Sequence, residues 1–119
     1  MIQITIPLPP SLNNAFTNAG RRGRIKSPEY RIWCDNADLL FKVRSAVMPR
    51  IEGTYGVMIC VPLRMRGDID NRIKPIVDLL VRSGKVDDDS KMQFVSVHRR
   101  DFVEAKTARV TVEAWRADD

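Results

Sequence analysis

Two aspartates one residue apart, Asp68 and Asp70, sit in the run RMRGDIDNRIKPIVDLL, and Asp87, Asp88 and Asp89 follow in KVDDDSKM. Carboxylates grouped in this way are hard oxygen donors. Mg²⁺ and Mn²⁺ take such ligands, with waters or substrate phosphates filling the remaining octahedral positions. The same residues have plain structural uses. An acid at a helix start gains about 0.3–1 kcal/mol from the helix dipole, and an Asp run before a strand can be a polar turn. Lys74 falls four residues after Asp70 and four before Asp78, so on a helix the three share one flank. Simple i,i+4 pairing explains that spacing, and so does a cation beside a metal site.

Other chemistries lack their residues. His98 is the single histidine, and Cys34 and Cys60 are too few and too poorly spaced for a zinc site or a disulfide framework. Gly20 and Gly23 have no strand-turn-helix context for a phosphate loop, and no Gly or Glu follows Asp68 at the offsets of a calcium-binding hand. The net charge of +5 is uneven: residues 1–66 hold ten Lys/Arg against four Asp/Glu, and residues 67–91 hold five against six. A basic body around an acidic centre attracts polyanions everywhere but at one spot, and a bound cation would remove that exception. Arg21, Arg22, Arg24 and Lys26 form a basic cluster that reads either as a solvated loop or as an arm following a phosphate backbone.

The elements that must position these groups are legible in outline. At 119 residues and 44% hydrophobic content, one domain spanning 1–119 is expected. No apolar run approaches the roughly 20 residues of a membrane helix. MIQITIPLPP lacks the features of a signal peptide, so a cytoplasmic protein with reduced thiols is expected. Ile2, Ile4 and Ile6 alternate with polar residues as a strand, stopped by Pro7, Pro9 and Pro10; a loop is expected over Ser11–Ser27. Ser27-Pro28-Glu29 opens a helix whose core stripe is Trp33, Ala37, Leu40 and Phe41, extended by Val43 and Val47, ending near Met48. Thr54–Leu63 reads as a central strand. A helix follows from about Asp70 to Arg82, with Pro75 in its early turns and Gly84 at its end.

Phe94–Arg100 and Ala108–Trp115 read as two strands of a hairpin with its loop at Glu104–Lys106. The expected fold is α+β, in the order β-α-β-α-β-β, with two helices against a small, mainly antiparallel mixed sheet. If the strand after Asp89 pairs beside Thr54–Leu63, its start is expected to approach the other's end. Asp89 would then join Asp68 and Asp70 around one ion.

The run GDIDNRIKPIVDLLVRSGKVDDDSKM resembles the signature of the RusA family of Holliday-junction endodeoxyribonucleases. That signature is D-x-D-N, a lysine three residues on, an Asp four further, a glycine at the helix end, and D-D-[SA] before a strand. Asp68, Asp70, Asn71, Lys74, Asp78, Gly84, Asp88, Asp89 and Ser90 fall in that register, and PLPPSLNNAF resembles the family's N-terminal opening. The resemblance implies a homodimer that nicks opposed strands of four-way DNA junctions with Mg²⁺, Mn²⁺ substituting, and a bacterial or phage source. By position, Asp68, Asp70 and Asp89 would be the metal-binding catalytic acids, Asp88 a supporting acid and Lys74 a catalytic or phosphate-contacting cation. Asn71 would fix the loop at the DNA.

Gly67 departs from the family, which often has a basic residue there; Arg64 and Arg66 are expected to supply the charge. A C₂ dimer is the economical source of paired incisions. Gly67 and the extra acid Asp87 leave a second reading, a module of the same fold that binds branched DNA without cutting. A third is a nuclease for flaps.

Overall fold

The computed structural model describes residues 1–11, 16–18 and 24–116, and the side chains of all of these except 16–18 and 24. Strand β1 (Ile2–Pro7) turns Ile2, Ile4 and Ile6 inward and leaves Gln3 and Thr5 exposed, as its alternation requires. Two three-residue strands, β2 (Phe16–Asn18) and β3 (Arg24–Lys26), pair with each other inside the segment expected to be a loop. With this ribbon the order becomes β-β-β-α-β-α-β-β.

Helix α1 (Pro28–Arg44) begins as its sequence dictates. Ser27 Oγ accepts from the Tyr30 N–H at 3.2 Å, Pro28 takes the first turn, and Glu29 faces the positive end of the dipole. Trp33 Nε1 donates to the Pro7 carbonyl at 2.8 Å, tying the helix to the end of β1. Tyr30, Trp33, Cys34, Ala37 and Phe41 are buried, whereas Val43 and Val47 are not: they are 64% and 91% exposed. The core stripe therefore ends at Phe41, and the helix ends four residues before Met48.

Strand β4 (Tyr55–Pro62) sends Tyr55, Val57, Ile59 and Val61 into the core, each fully buried. Helix α2 (Ile73–Ser83) packs Ile76, Leu79 and Leu80 into the same core and closes on Gly84, whose φ of 77° is the left-handed C-cap that glycine adopts without strain. A short 3-10 turn, Ile69–Arg72, precedes it, so Pro75 is the third helical residue, where no intrahelical amide bond is lost.

Strands β5 (Met92–Arg100) and β6 (Thr107–Ala114) follow each other but do not form the expected hairpin. The sheet order is β1-β6-β4-β5: β6 lies antiparallel between β1 and β4, and β5 runs parallel to β4 at the edge. The apolar pattern explains the choice. Ala108, Val110 and Val112 are all fully buried and need a neighbour on each side, while β5 offers only half-buried Val95 and Val97 before Arg99. The less apolar strand takes the edge. Gly56 is required at the β4–β5 contact, because a Cβ there would sit 1.9 Å from the Phe94 ring.

Candidate metal and nucleic-acid site

The chain leaves β4 at Pro62 and turns through Leu63–Gly67 before delivering Asp68 and Asp70. Two arginines hold this turn by its backbone. Arg99, on the core-facing register of β5, donates to the carbonyls of Met65, Gly67 (2.8 Å) and Leu63 (3.5 Å). Arg72 donates to the Pro9 carbonyl and, at 3.3 Å, to that of Arg66. Gly67 has φ +87°, a conformation that strains any residue with a Cβ. Arg72 Nη2 lies 3.8 Å from where that Cβ would be, so Arg72 brings a guanidinium to the place where a basic side chain at 67 would begin.

Asp68 occupies the N-cap position of the 3-10 turn, yet its side chain makes no capping hydrogen bond. Asp70 stands in the first turn. Both are exposed, and neither carboxylate has a hydrogen bond or ion pair among the described residues. Capping therefore does not account for them. Two unengaged carboxylates, one residue apart on a fixed turn, suit a hard divalent ion, which needs one or two such ligands beside water and phosphate oxygens.

The second acid group is built differently. Asp87 accepts from the Gly53 N–H at 2.7 Å and pairs with the Arg50 guanidinium, and the two together hold its carboxyl below the usual carboxylate range. Tyr55, the first residue of β4, donates from its hydroxyl to the Asp87 carbonyl at 3.1 Å and lies 3.4 Å from that of Asp88. Burial raises the Tyr55 phenol, and the charges of Asp89, Asp88 and Asp87 add to it. Asp88 and Asp89 are exposed and interact directly. A hydrogen bond from Asp89 lowers Asp88, and the same contact with Asp88 raises Asp89. Asp87 is thus the structural member of the three, fastened to distant groups, whereas Asp88 and Asp89 are exposed and engage only each other and Ser90, whose hydroxyl donates to Asp88 at 3.3 Å, among the described residues.

The parallel pairing of β4 and β5 corrects the expected juxtaposition. Tyr55 is registered with Met92, so Asp88 and Asp89 stand at the start of β4, whereas Asp68 and Asp70 follow its end. In an antiparallel pair the two ends would have met. Among the described residues, no three acids, histidines or cysteines stand close enough to hold one ion. The two groups are linked along α2 instead. Lys74 pairs with Asp78 at 3.5 Å, and Asp89 feels both: Lys74 lowers its carboxyl and Asp78 raises it. Acids and one cation thus form a strip along the α2 flank.

A model of the family described as endodeoxyribonuclease RusA matches residues 7–114. The chain belongs to the RusA family. A curated relative, the crossover junction endodeoxyribonuclease RusA of Enterobacteria phage HK97, is 26% identical over 97 residues, covering 82% of this chain and 81% of the relative.

The other RusA-signature and basic positions are scattered more widely. Asn71 is half-buried in the 3-10 turn beside Asp70, and Arg64 and Arg66 are exposed on the turn that precedes Asp68. Lys26 is exposed, with its Nζ 5.5 Å from the Tyr30 ring centroid at the start of α1. Arg24 contributes backbone to β3, and Arg21 and Arg22 lie outside the described residues. No described helix is long and apolar enough to cross a membrane. Sequence reasoning missed Arg99, Arg72, Arg50 and Tyr55 as supports of the site. Arg99 left one signal: it falls where the Val95, Val97 alternation calls for an apolar residue.

Proposed function

We propose that this protein is a metal-dependent endodeoxyribonuclease that resolves four-way DNA junctions, acting as a homodimer that nicks opposed strands. The observation that carries this reading is the pair Asp68 and Asp70, exposed, unengaged and held on a turn clamped by Arg99 and Arg72, in a chain of the RusA family. Asp68 and Asp70 would hold Mg²⁺, or Mn²⁺ in its place. The ion supplies an acidified water and neutralises charge developing on the phosphate.

The chain's own groups do the rest. Lys74, 63% exposed on its flank, swings between Asp78 and a substrate phosphate and offsets charge on the phosphorane or the departing 3′ oxygen. Asp88 and Asp89, in contact with each other on the same strip, act beyond the direct ligands and exchange protons with water at the phosphate. Arg64, Arg66 and Asn71 border the same turn and hold the strand by its phosphates, as Lys26 and the preceding arginines do farther away. The products carry a 5′-phosphate and a 3′-hydroxyl, which a ligase can join.

The non-cutting alternative drew on Gly67 and Asp87. Gly67 serves the backbone of the turn, and Asp87 serves Arg50 and Gly53, so neither counts against cutting. Incubation with a synthetic four-way junction and Mg²⁺ or Mn²⁺ should give paired, ligatable nicks, and Asp70→Asn should give none. Junction binding with no products under either ion would leave the binding module standing; flap cleavage with intact junctions would make it a flap nuclease.

A further inference from the structure

Both helices pack on the face of the sheet that carries Ile4, Ile59, Val97 and Val110. The opposite face is open. Its register sets Gln3, Thr111, Met58 and Ser96 in one row across the four strands, and Thr5, Arg109, Cys60 and His98 in the next. Met58, on the interior strand β4, is 40% exposed. An aromatic side chain stands at each end. At one, the Phe94 ring lies over Gly56 and Trp115 meets it edge-on, with 4.9 Å between centroids. At the other, Arg109 sits 4.8 Å from the centroid of the Phe102 ring. Trp115 and Phe102 remain 41% and 52% exposed, so each ring keeps surface for a further partner.

The groups between the rings select the partner. Thr5, Ser96 and Thr111 offer hydroxyls, Arg100 and Arg109 offer guanidinium groups, and among the described strand residues of this face Glu113 is the one carboxylate. A hollow of about 190 Å³ beside Arg109, lined in part by Thr5, Phe102, Glu104 and Thr107, takes a sugar or phosphate and not a whole ligand. Rings that accept stacked bases, with cations along the backbone between them, are how proteins hold single strands. A duplex keeps its bases stacked inside and leaves the rings idle, and an apolar protein surface leaves both arginines unpaired. Arg109 and Trp115 are six residues apart along the line of β6, roughly 20 Å at about 3.3 Å per residue, enough for about four nucleotides. We propose that the open face binds single-stranded DNA, with bases stacked on Phe102 and Trp115 and phosphates on Arg100 and Arg109. Arg100 is registered with Pro62, so the Phe102 end adjoins the turn that carries Asp68. An unpaired strand leaving that turn continues onto the face.

Titration of the full chain with single-stranded oligothymidylate in EDTA tests this, followed by tryptophan emission and by the anisotropy of a labelled oligomer. Trp33 is buried, so quenching reports Trp115. The expected result is saturable quenching, with the dissociation constant from anisotropy raised about tenfold by Trp115→Leu and by Phe102→Ala. Trp115→Phe should lose the quenching yet bind within about threefold of the parent, because it keeps a stacking ring. Duplex binding, made through phosphates, should be indifferent to all three variants. Phe102→Ala alters a ring outside the strands, so it reports even where Trp115→Leu disturbs folding. No saturable quenching, a dissociation constant indifferent to both ring losses, or an equal loss of duplex binding overturns the proposal. So does tighter binding of oligouridylate, which gives the face to RNA, or an oligomer that Trp115→Leu dissociates in sedimentation, which gives it to protein. The inference deepens the nuclease reading and rests on it only for the choice of DNA. A chain that binds oligothymidylate in this way but nicks no junction upholds the proposal and counts against the nuclease reading alone.

Discussion

The two acid groups sit at opposite ends of β4 and are supported in opposite ways. At the far end, arginines bind the backbone carbonyls of residues 63, 65, 66 and 67, and among the described residues the carboxylates of Asp68 and Asp70 remain unengaged. At the near end a carboxylate itself is the fastening: Asp87 takes Arg50 and the Gly53 amide, leaving Asp88 and Asp89 exposed and in contact with each other. A charge satisfied inside the protein is not available to a ligand. The difference separates a group set aside for chemistry from one in which structure claims the first member.

The comparison breaks most decisively at Asp70. Asp70→Asn should lower junction nicking by on the order of a thousandfold or more with the melting temperature unchanged, because the carboxylate has no hydrogen bond or ion pair among the described residues. Equal loss in Asp87→Asn would erase the distinction between the two groups. Arg99→Ala comes next. It frees the carbonyls of the turn, so Mn²⁺ affinity measured by calorimetry without DNA should fall about 10- to 100-fold, with nicking falling alongside; Arg99→Lys should recover part of both. An unchanged Mn²⁺ affinity would make Arg99 a packing residue.

Asp87→Asn should act on stability and not on nicking. Its carboxyl is held low by Gly53 and Arg50, so the stabilisation is complete above the usual carboxylate range and is lost as pH falls through the depressed value. The urea midpoint of the parent should exceed that of Asp87→Asn at pH 7, and the two should converge as pH falls below the depressed value of that carboxyl. A gap that persists in acid would assign the effect to shape. The smallest effect is expected at Lys74. Lys74→Met should reduce nicking about tenfold and lower the salt dependence of junction binding by about one phosphate contact.

Much of the fold was legible because its signals are local. Ser27-Pro28-Glu29 could only begin a helix well, Gly84 could only end one, and the isoleucines of β1 alternate with a period of two. The failures are equally physical. Val43 and Val47 continue the apolar spacing of α1, but a helix cannot tell one apolar stripe from two until its neighbours are in place. Residues 100–107 hold the turn of a hairpin as readily as a crossover, and only competition among strands for the core puts β6 between β1 and β4. Arg99 is a distant partner of the Asp68 turn, 32 residues from Gly67, and no spacing rule reaches that far.

The sequence by itself determined the donor chemistry: two acid groups, a lysine on the flank between them, and a basic chain around them. These follow from residue types and short spacings, fixed before any long-range contact forms. The tertiary structure alone decided which acids are free. A carboxylate's availability depends on what stands within about 3 Å of it, and for Asp87 those neighbours are Arg50 and Gly53, more than 30 residues away. The direction of β5 was likewise a tertiary choice. One strand reversed would have brought Asp89 to Asp68; run parallel, it leaves Lys74 and α2 to connect the two ends.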